Sequence, residues 1–181
     1  KFGSICNIKD TTLNKFAKAG ILTQINDMIK LKEQIVLKKT DGKKSKRIKN
    51  LSKLEDANKA GSDRSTECVL IITEGDSAKT LAMSGRGSAN CDFIGIFPIR
   101  GKLMNVRDAS TKSLLENEEI TNIKKIMGLE HGKVYNDLSD LRYGKIVIMS
   151  DQDVDGFHIK GLIMNFIHNF WPSLLKIHGF V

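Results

Sequence analysis

The apolar run Ile146–Met149 ends abruptly in Ser150-Asp151-Gln152-Asp153-Val154-Asp155-Gly156, and this junction limits the possible folds more than any other stretch. A short run rich in β-branched residues reads as a strand, and its period of two sends Asp151 and Asp153 to the same side as the chain leaves it. Two carboxylates about 4 Å apart repel by about 1 kcal/mol in water and about 4 kcal/mol near a protein surface, so such a cluster calls for a cation or protons. A divalent metal meets that need. The same Asp-x-Asp-x-Asp-Gly pattern opens a calcium-binding EF-hand loop, but that loop requires a bidentate Glu at its twelfth position and a helix before it. Here the twelfth position is Leu162 and a strand-like run comes first, which excludes the EF-hand. A solvated acidic turn remains the plain alternative.

A second apolar run, Cys68–Thr73 (CVLIIT), has the continuous β-branched character of a parallel strand covered on both faces. It leads into Glu74-Gly75-Asp76-Ser77, where Gly75 permits a tight turn and Asp76 or Ser77 is suited to cap a helix running toward Ser84. Glu74 is thereby placed at the carboxyl end of a strand, the edge at which open α/β sheets hold their ligands. Phe93–Phe97 reads as another strand. After it, Arg100-Gly101-Lys102-Leu103-Met104-Asn105 sets two cations around a glycine, a loop able to meet phosphates or simply to be an exposed turn.

Residues 110–129 read as one or two helices with Leu114, Leu115, Ile120, Ile123, Ile126 and Met127 on the apolar face, and Glu116, Glu118 and Glu119 as solvated surface. Following the acidic loop, Ile159, Leu162, Ile163, Phe166, Ile167 and Phe170 repeat at i, i+3, i+4, i+7, i+8 and i+11, an amphipathic helix that Pro172 stops. His158 stands close to the acids, whereas His168 reads as surface.

Strands alternating with helices predict an α/β fold with a parallel sheet. If the strands ending at Glu74 and at Ser150 are neighbours, Glu74, Asp151, Asp153 and Asp155 converge on one crevice.

Upstream, residues 11–37 read as helical, with Leu13, Phe16 and Ala17 on one face and Ile21, Leu22, Ile25, Met28 and Ile29 restarting a face after Gly20. Core or interface packing is expected for them. From Lys38 to Lys59 the chain turns lysine-rich and reads as a connector, equally suited to touch phosphates, to serve as a nuclear address or to stay solvated.

The net charge of +8 belongs to the N-terminal third: residues 1–66 carry 16 Lys/Arg against 7 Asp/Glu, and the remainder 13 against 14. That asymmetry favours a polyanionic partner such as nucleic acid. Three dispersed cysteines, Cys6, Cys68 and Cys91, make no disulfide framework and point to a reducing compartment. No run approaches the roughly 18 apolar residues of a membrane span. The chain opens on Lys1 without a signal peptide, so a piece of a longer, soluble, intracellular protein is expected.

Three segments in order, EGDSAKTLAMSGRG at Glu74–Gly87, FPIRGKLMNV at Phe97–Val106 and YGKIVIMSDQDVDGFHIKGL at Tyr143–Leu162, resemble the TOPRIM region of the type IIA DNA topoisomerase family, in its eukaryotic form. The likeness extends to RIKNLSKLEDANKAG at Arg47–Gly61 and FGSICN near the start. It implies a Rossmann-like parallel sheet flanked by helices in residues 65–181, with its C-terminal edge truncated. Residues 1–64 would be a helical and basic connector from an upstream ATPase region.

It further implies an ATP-dependent, homodimeric enzyme that cleaves and religates duplex DNA through a tyrosine. By resemblance, Glu74 and Asp151 hold a catalytic Mg²⁺, Asp151 with Asp153 hold a second ion, and Asp155 supports the cluster, with Mn²⁺ or Ca²⁺ as substitutes. Arg100, Lys102 and Asn105 match the family's DNA-contacting loop, and His158 and Lys160 lie in its HIKG segment. ATP and the nucleophile belong elsewhere, because Tyr135 and Tyr143 do not match the tyrosine motif. The family default is the nucleus, or the cytoplasm for a cytoplasmic virus.

One departure is Phe157, where the family has Ser, which questions the geometry of the helix start. Two other functions are weighed: a stand-alone TOPRIM nuclease or primase-like enzyme, and a non-catalytic nucleic-acid-binding module. The length of the match argues against the first. Four acids facing a polyanion argue against the second.

Overall fold

The computed structural model describes residues 10–48 and 51–181; Cys6, the FGSICN segment and the end of RIKN lie outside them, as do the side chains of Leu13 and Phe16. Two compact units divide near Val36. The first holds helices α1 (Asp10–Lys18) and α2 (Ile21–Leu37), separated at Gly20 as the sequence pattern predicts. Of the two expectations for its apolar residues, core packing is not met, since α2 buries none of its side chains and Leu22, Ile25, Met28 and Ile29 are 47–59% exposed.

The second unit, residues 37–181, is built on a parallel sheet of β1 (Val69–Glu74), β2 (Ile94–Ile99) and β3 (Lys145–Met149) in the order β2-β1-β3. Strands β1 and β3 are neighbours, with Thr73 beside Met149, so the chain leaves both strands at the same edge. Helix α3 (Gly75–Arg86) packs on β1 and β2. Helices α4 (Thr111–Glu116), α5 (Glu118–Met127) and α6 (Val154–Phe170) contribute Leu114, Ile123, Ile126, Ile163 and Phe166 to one continuous core with Leu70, Ile72 and Ile146 of the sheet. Phe166, Phe170 and Trp171 meet edge to face or tilted at the end of α6.

Burial alternates along β1 and β3 instead of running continuously: Leu70, Ile72 and Ile146 are buried, while Val69 and Ile71 are half-buried and Val147 is 42% exposed. The reason is coverage, because α3 lies over β1 and β2 and leaves that face of β3 open.

The connector is docked at both ends of its lysine-rich stretch, while the side chains of Lys38, Lys39, Lys43, Lys44, Lys46 and Arg47 stay exposed. Lys124, itself buried, bonds the Leu37 carbonyl, Thr40 Oγ1 and Asp41, and the Gly42 amide donates to the Leu129 carbonyl. Further on, Glu55 forms an antiparallel bridge with Ile96, and Ala57 and Ala60 are core residues. Arg142, fully buried, ties this segment to the domain by donating from Nε to the Ser45 carbonyl (2.7 Å), from one terminal nitrogen to the Ile126 carbonyl (2.9 Å) and from the other to Asp56.

Candidate functional site

The site forms where β1 and β3 end. Glu74 is the last residue of β1, and Gly75, at φ +79°, reverses the chain into α3 with a conformation that L side chains rarely take. Asp76 and Ser77 therefore lie inside the helix and do not cap it; Glu74 occupies the cap position without a side-chain cap bond. Asp76 instead accepts from Lys53 Nζ at 2.9 Å, and that ion pair holds its carboxyl below the usual range. Sequence reasoning missed Lys53 because its partner is 23 residues away.

Beyond β3, the backbone amide of Asp151 donates to Glu74 Oε2 at 3.3 Å, which brings these two residues together across the strand ends. Asp153 caps α6, its Oδ1 accepting from the Gly156 amide at 2.7 Å. That cap explains why Phe157 leaves the helix start intact: position 157 is inside the first turn, and Phe157 is exposed with the Lys160 ammonium 4.8 Å above its ring. Gly156 is required by space, since a Cβ there would run into the Asp151 carbonyl.

Asp155 turns to Lys102, whose ammonium is 2.8 Å away; the hydrogen bond and charge of Lys102, with His158 adding, hold the carboxyl below its usual range. The expected convergence of all four acids is thus not what the fold shows. Among the described residues no three His, Cys, Asp or Glu are grouped to enclose an ion. Asp153 is turned to a helix cap and Asp155 to a lysine, which leaves Glu74 and Asp151 as the adjacent pair. Such a donor set suits Mg²⁺, which binds through one or two carboxylates, waters and substrate phosphate, and not a closed protein cage.

The loop after β2 is pinned by Ile99, Leu103 and Val106, all buried, while Arg100, Lys102 and Asn105 are exposed between them. Glu119, expected to be plain surface, is half-buried and accepts from the Arg100 amide at 3.2 Å. Asn165 of α6 donates to Asn105 Oδ1 at 2.9 Å. No local sequence signal announces either contact, because each joins elements that only the fold places side by side. His158 is exposed and Lys160 half-buried on the first turns of α6.

Both tyrosines of the chain are buried and engaged. Tyr143 donates to Asp56, and burial with that carboxylate pushes its phenol up; Tyr135 accepts from the Glu130 amide at 2.8 Å, and burial raises it too. Neither is presented to a substrate.

Comparison with known proteins agrees with this geometry. The Toprim domain family model matches residues 69–179, which hold all three strands and the acidic loop. The chain is 56% identical over 180 residues to DNA topoisomerase 2 of Acanthamoeba polyphaga mimivirus and 52% identical over 180 residues to that of Pisum sativum. Each match takes in 99% of this chain but only 14% and 12% of those proteins. Among solved structures, the DNA-binding, cleavage and re-ligation domain of Plasmodium falciparum topoisomerase II superposes with a TM-score of 0.73 at 57% identity, over 75% of this chain and 19% of that one. With the parallel sheet, the paired acids at its edge and a family match over most of its length, the chain belongs to the Toprim family.

Proposed function

We propose that this chain is the metal-binding part of an ATP-dependent type II DNA topoisomerase, a homodimer that cleaves and religates duplex DNA through a tyrosine in another part of the polypeptide. The observation that carries the proposal is the meeting of Glu74 and Asp151 at the carboxyl ends of neighbouring parallel strands. Burial of both tyrosines supports a nucleophile elsewhere. Membership of the Toprim family of topoisomerase II implies a divalent metal.

Glu74 and Asp151 would hold one Mg²⁺, and Asp151 with the outer oxygen of Asp153 a second. Bound there, the metal supplies a Lewis acid that stabilises charge developing on phosphate oxygens. The chain's own residues do the rest. The Asp151 amide orients Glu74, and the α6 N-terminus, with its positive dipole end, offsets the charge of Asp153 and Asp155. Lys102 balances Asp155, so the crevice tolerates a polyanion. Arg100, Lys102 and Asn105 bind the DNA backbone beside the break, with His158 and Lys160 nearby; residues 1–64 link this domain to an ATPase region that binds the nucleotide. The parent enzyme acts in the nucleus, or in the cytoplasm if its source is a cytoplasmic virus.

The test pairs calorimetric Mg²⁺ binding with incubation of supercoiled plasmid, for the chain alone and for the full-length enzyme, each with Asp151→Ala. The expected result is a chain that binds metal through Asp151 and cuts nothing, with cleavage by the full-length enzyme lost in the variant at an unchanged melting temperature. If the chain nicks DNA unaided and Asp151→Ala abolishes this, it is a self-sufficient metal nuclease and the proposal fails.

A further inference from the structure

We infer that Asn165 is a positioning residue that fixes which end of the Asn105 side-chain amide faces the DNA backbone. The inference rests on the reading of the Arg100–Asn105 loop as a DNA contact, and it adds a residue from a different element to that contact.

The orientation of Asn105 follows from one donor that cannot be reversed. The Arg107 backbone amide points at Asn105 Oδ1, at 3.1 Å, and a backbone N–H only donates. Oδ1 is therefore the oxygen end. Asn165 Nδ2 reaches the same oxygen at 2.9 Å, so it too is assigned as the donor end of its own amide. With two donors on its oxygen, Asn105 has spent its acceptor capacity inward. Its Nδ2, which carries two hydrogens, makes no hydrogen bond among the described residues, and the side chain is exposed. An exposed group that offers only donors matches a phosphate oxygen, which only accepts.

The anchoring is what makes this orientation persist. Leu103 and Val106, 4% and 2% exposed, flank Asn105 and root the loop in the core. Asn165 stands between Ile163 and Phe166, which are fully buried on α6, so its backbone is held by the core as well. Two rigidly placed backbones thus hold an amide pair that a lone surface asparagine would leave free to rotate. Without Asn165, only the Arg107 amide restrains Asn105, and a turned amide would present its oxygen to phosphate.

The experiment is a double-mutant cycle in the full-length protein, with duplex DNA binding measured at fixed salt for Asn105→Ala, Asn165→Ala and the pair, and melting temperatures recorded for each. Asn105→Ala should weaken binding about three- to tenfold, the value of one good hydrogen bond. Asn165→Ala should weaken it by a similar or smaller factor, and the double variant should bind no more weakly than Asn105→Ala alone. Melting temperatures should stay within a few degrees of each other, because Asn105 is exposed, Asn165 is only half-buried and the hydrogen bond between them is open to solvent. If the two losses multiply, or if Asn165→Ala binds like the wild type while Asn105→Ala does not, Asn165 does not act through Asn105 and the inference falls. If Asn105→Ala itself leaves binding unchanged, the DNA reading of Asn105 is what fails, and the inference goes with it.

Discussion

Replacing Asp56 by Ala tests the most heavily buried charge in the domain. Arg142 is fully buried, and the two carbonyls it bonds, of Ser45 and Ile126, bring no negative charge. Asp56 is the carboxylate in its ion pair, and the same side chain accepts from Tyr143. Removing one member of a buried ion pair costs about 3–5 kcal/mol, since the survivor is left uncompensated in a poorly solvated place. The Asp56 side chain is 25% exposed, so water recovers part of that loss and a cost of about 2–4 kcal/mol is expected. At about 2–4 °C per kcal/mol for a protein of this size, the melting temperature should fall by roughly 4–16 °C. Urea denaturation of the purified chain at pH 7 would give the free energy directly, with Tyr143→Phe as a control that keeps the Arg142–Asp56 ion pair but loses two hydrogen bonds, one to Asp56 and one from the Ala57 amide, about 2 kcal/mol. A loss below about 1 kcal/mol for Asp56→Ala would refute the reasoning, because it would mean that the guanidinium finds water or another anion at no cost.

Gly156→Ala should displace the Asp151 carbonyl, against which a Cβ would collide, and weaken calorimetric Mg²⁺ binding while the helix itself persists; unchanged affinity would show that the acidic loop is free to shift. Cys68 is fully buried and its thiol is pushed up to about 11, chiefly by burial, so mass spectrometry after alkylation of the native protein at pH 8 should find it unmodified when an unfolded control is fully labelled. Burial first, and the neighbouring Lys124 charge next, hold His131 below its ordinary value. The unfolded chain therefore binds the proton more readily: the stabilisation is present above about pH 6.5 and is lost as the pH falls through the lower folded value. Stability measured between about pH 7 and pH 5 should decline, and His131→Phe, which keeps an aromatic ring against Phe170, should flatten that slope.

What the sequence determined by itself is everything written in local pattern. The run of β-branched residues in Val69–Thr73 and Lys145–Met149, the turn at Gly75 and the apolar repeat of α6 all act over a few residues, and each produced the element expected. Because parallel strands release their chains at one edge, it also followed that Glu74 and Asp151 would meet once β1 and β3 proved to be neighbours. Assigning roles to the acids required more than pattern. Three aspartates at alternate positions look equivalent in a sequence, yet helix geometry claims Asp153 as a cap and Lys102, 53 residues earlier, claims Asp155. The docking of the connector, by Lys124 on Asp41 and by Arg142 on Asp56, was likewise decided only in three dimensions. A hydrogen-bond donor has the same local signature whether its acceptor is water or a carbonyl 97 residues away, as it is for Arg142 and Ser45. Tertiary packing decides between those outcomes by removing the water, and for that reason Glu119 and Asn165 become part of the candidate site only when the fold sets α5 and α6 beside the loop after β2.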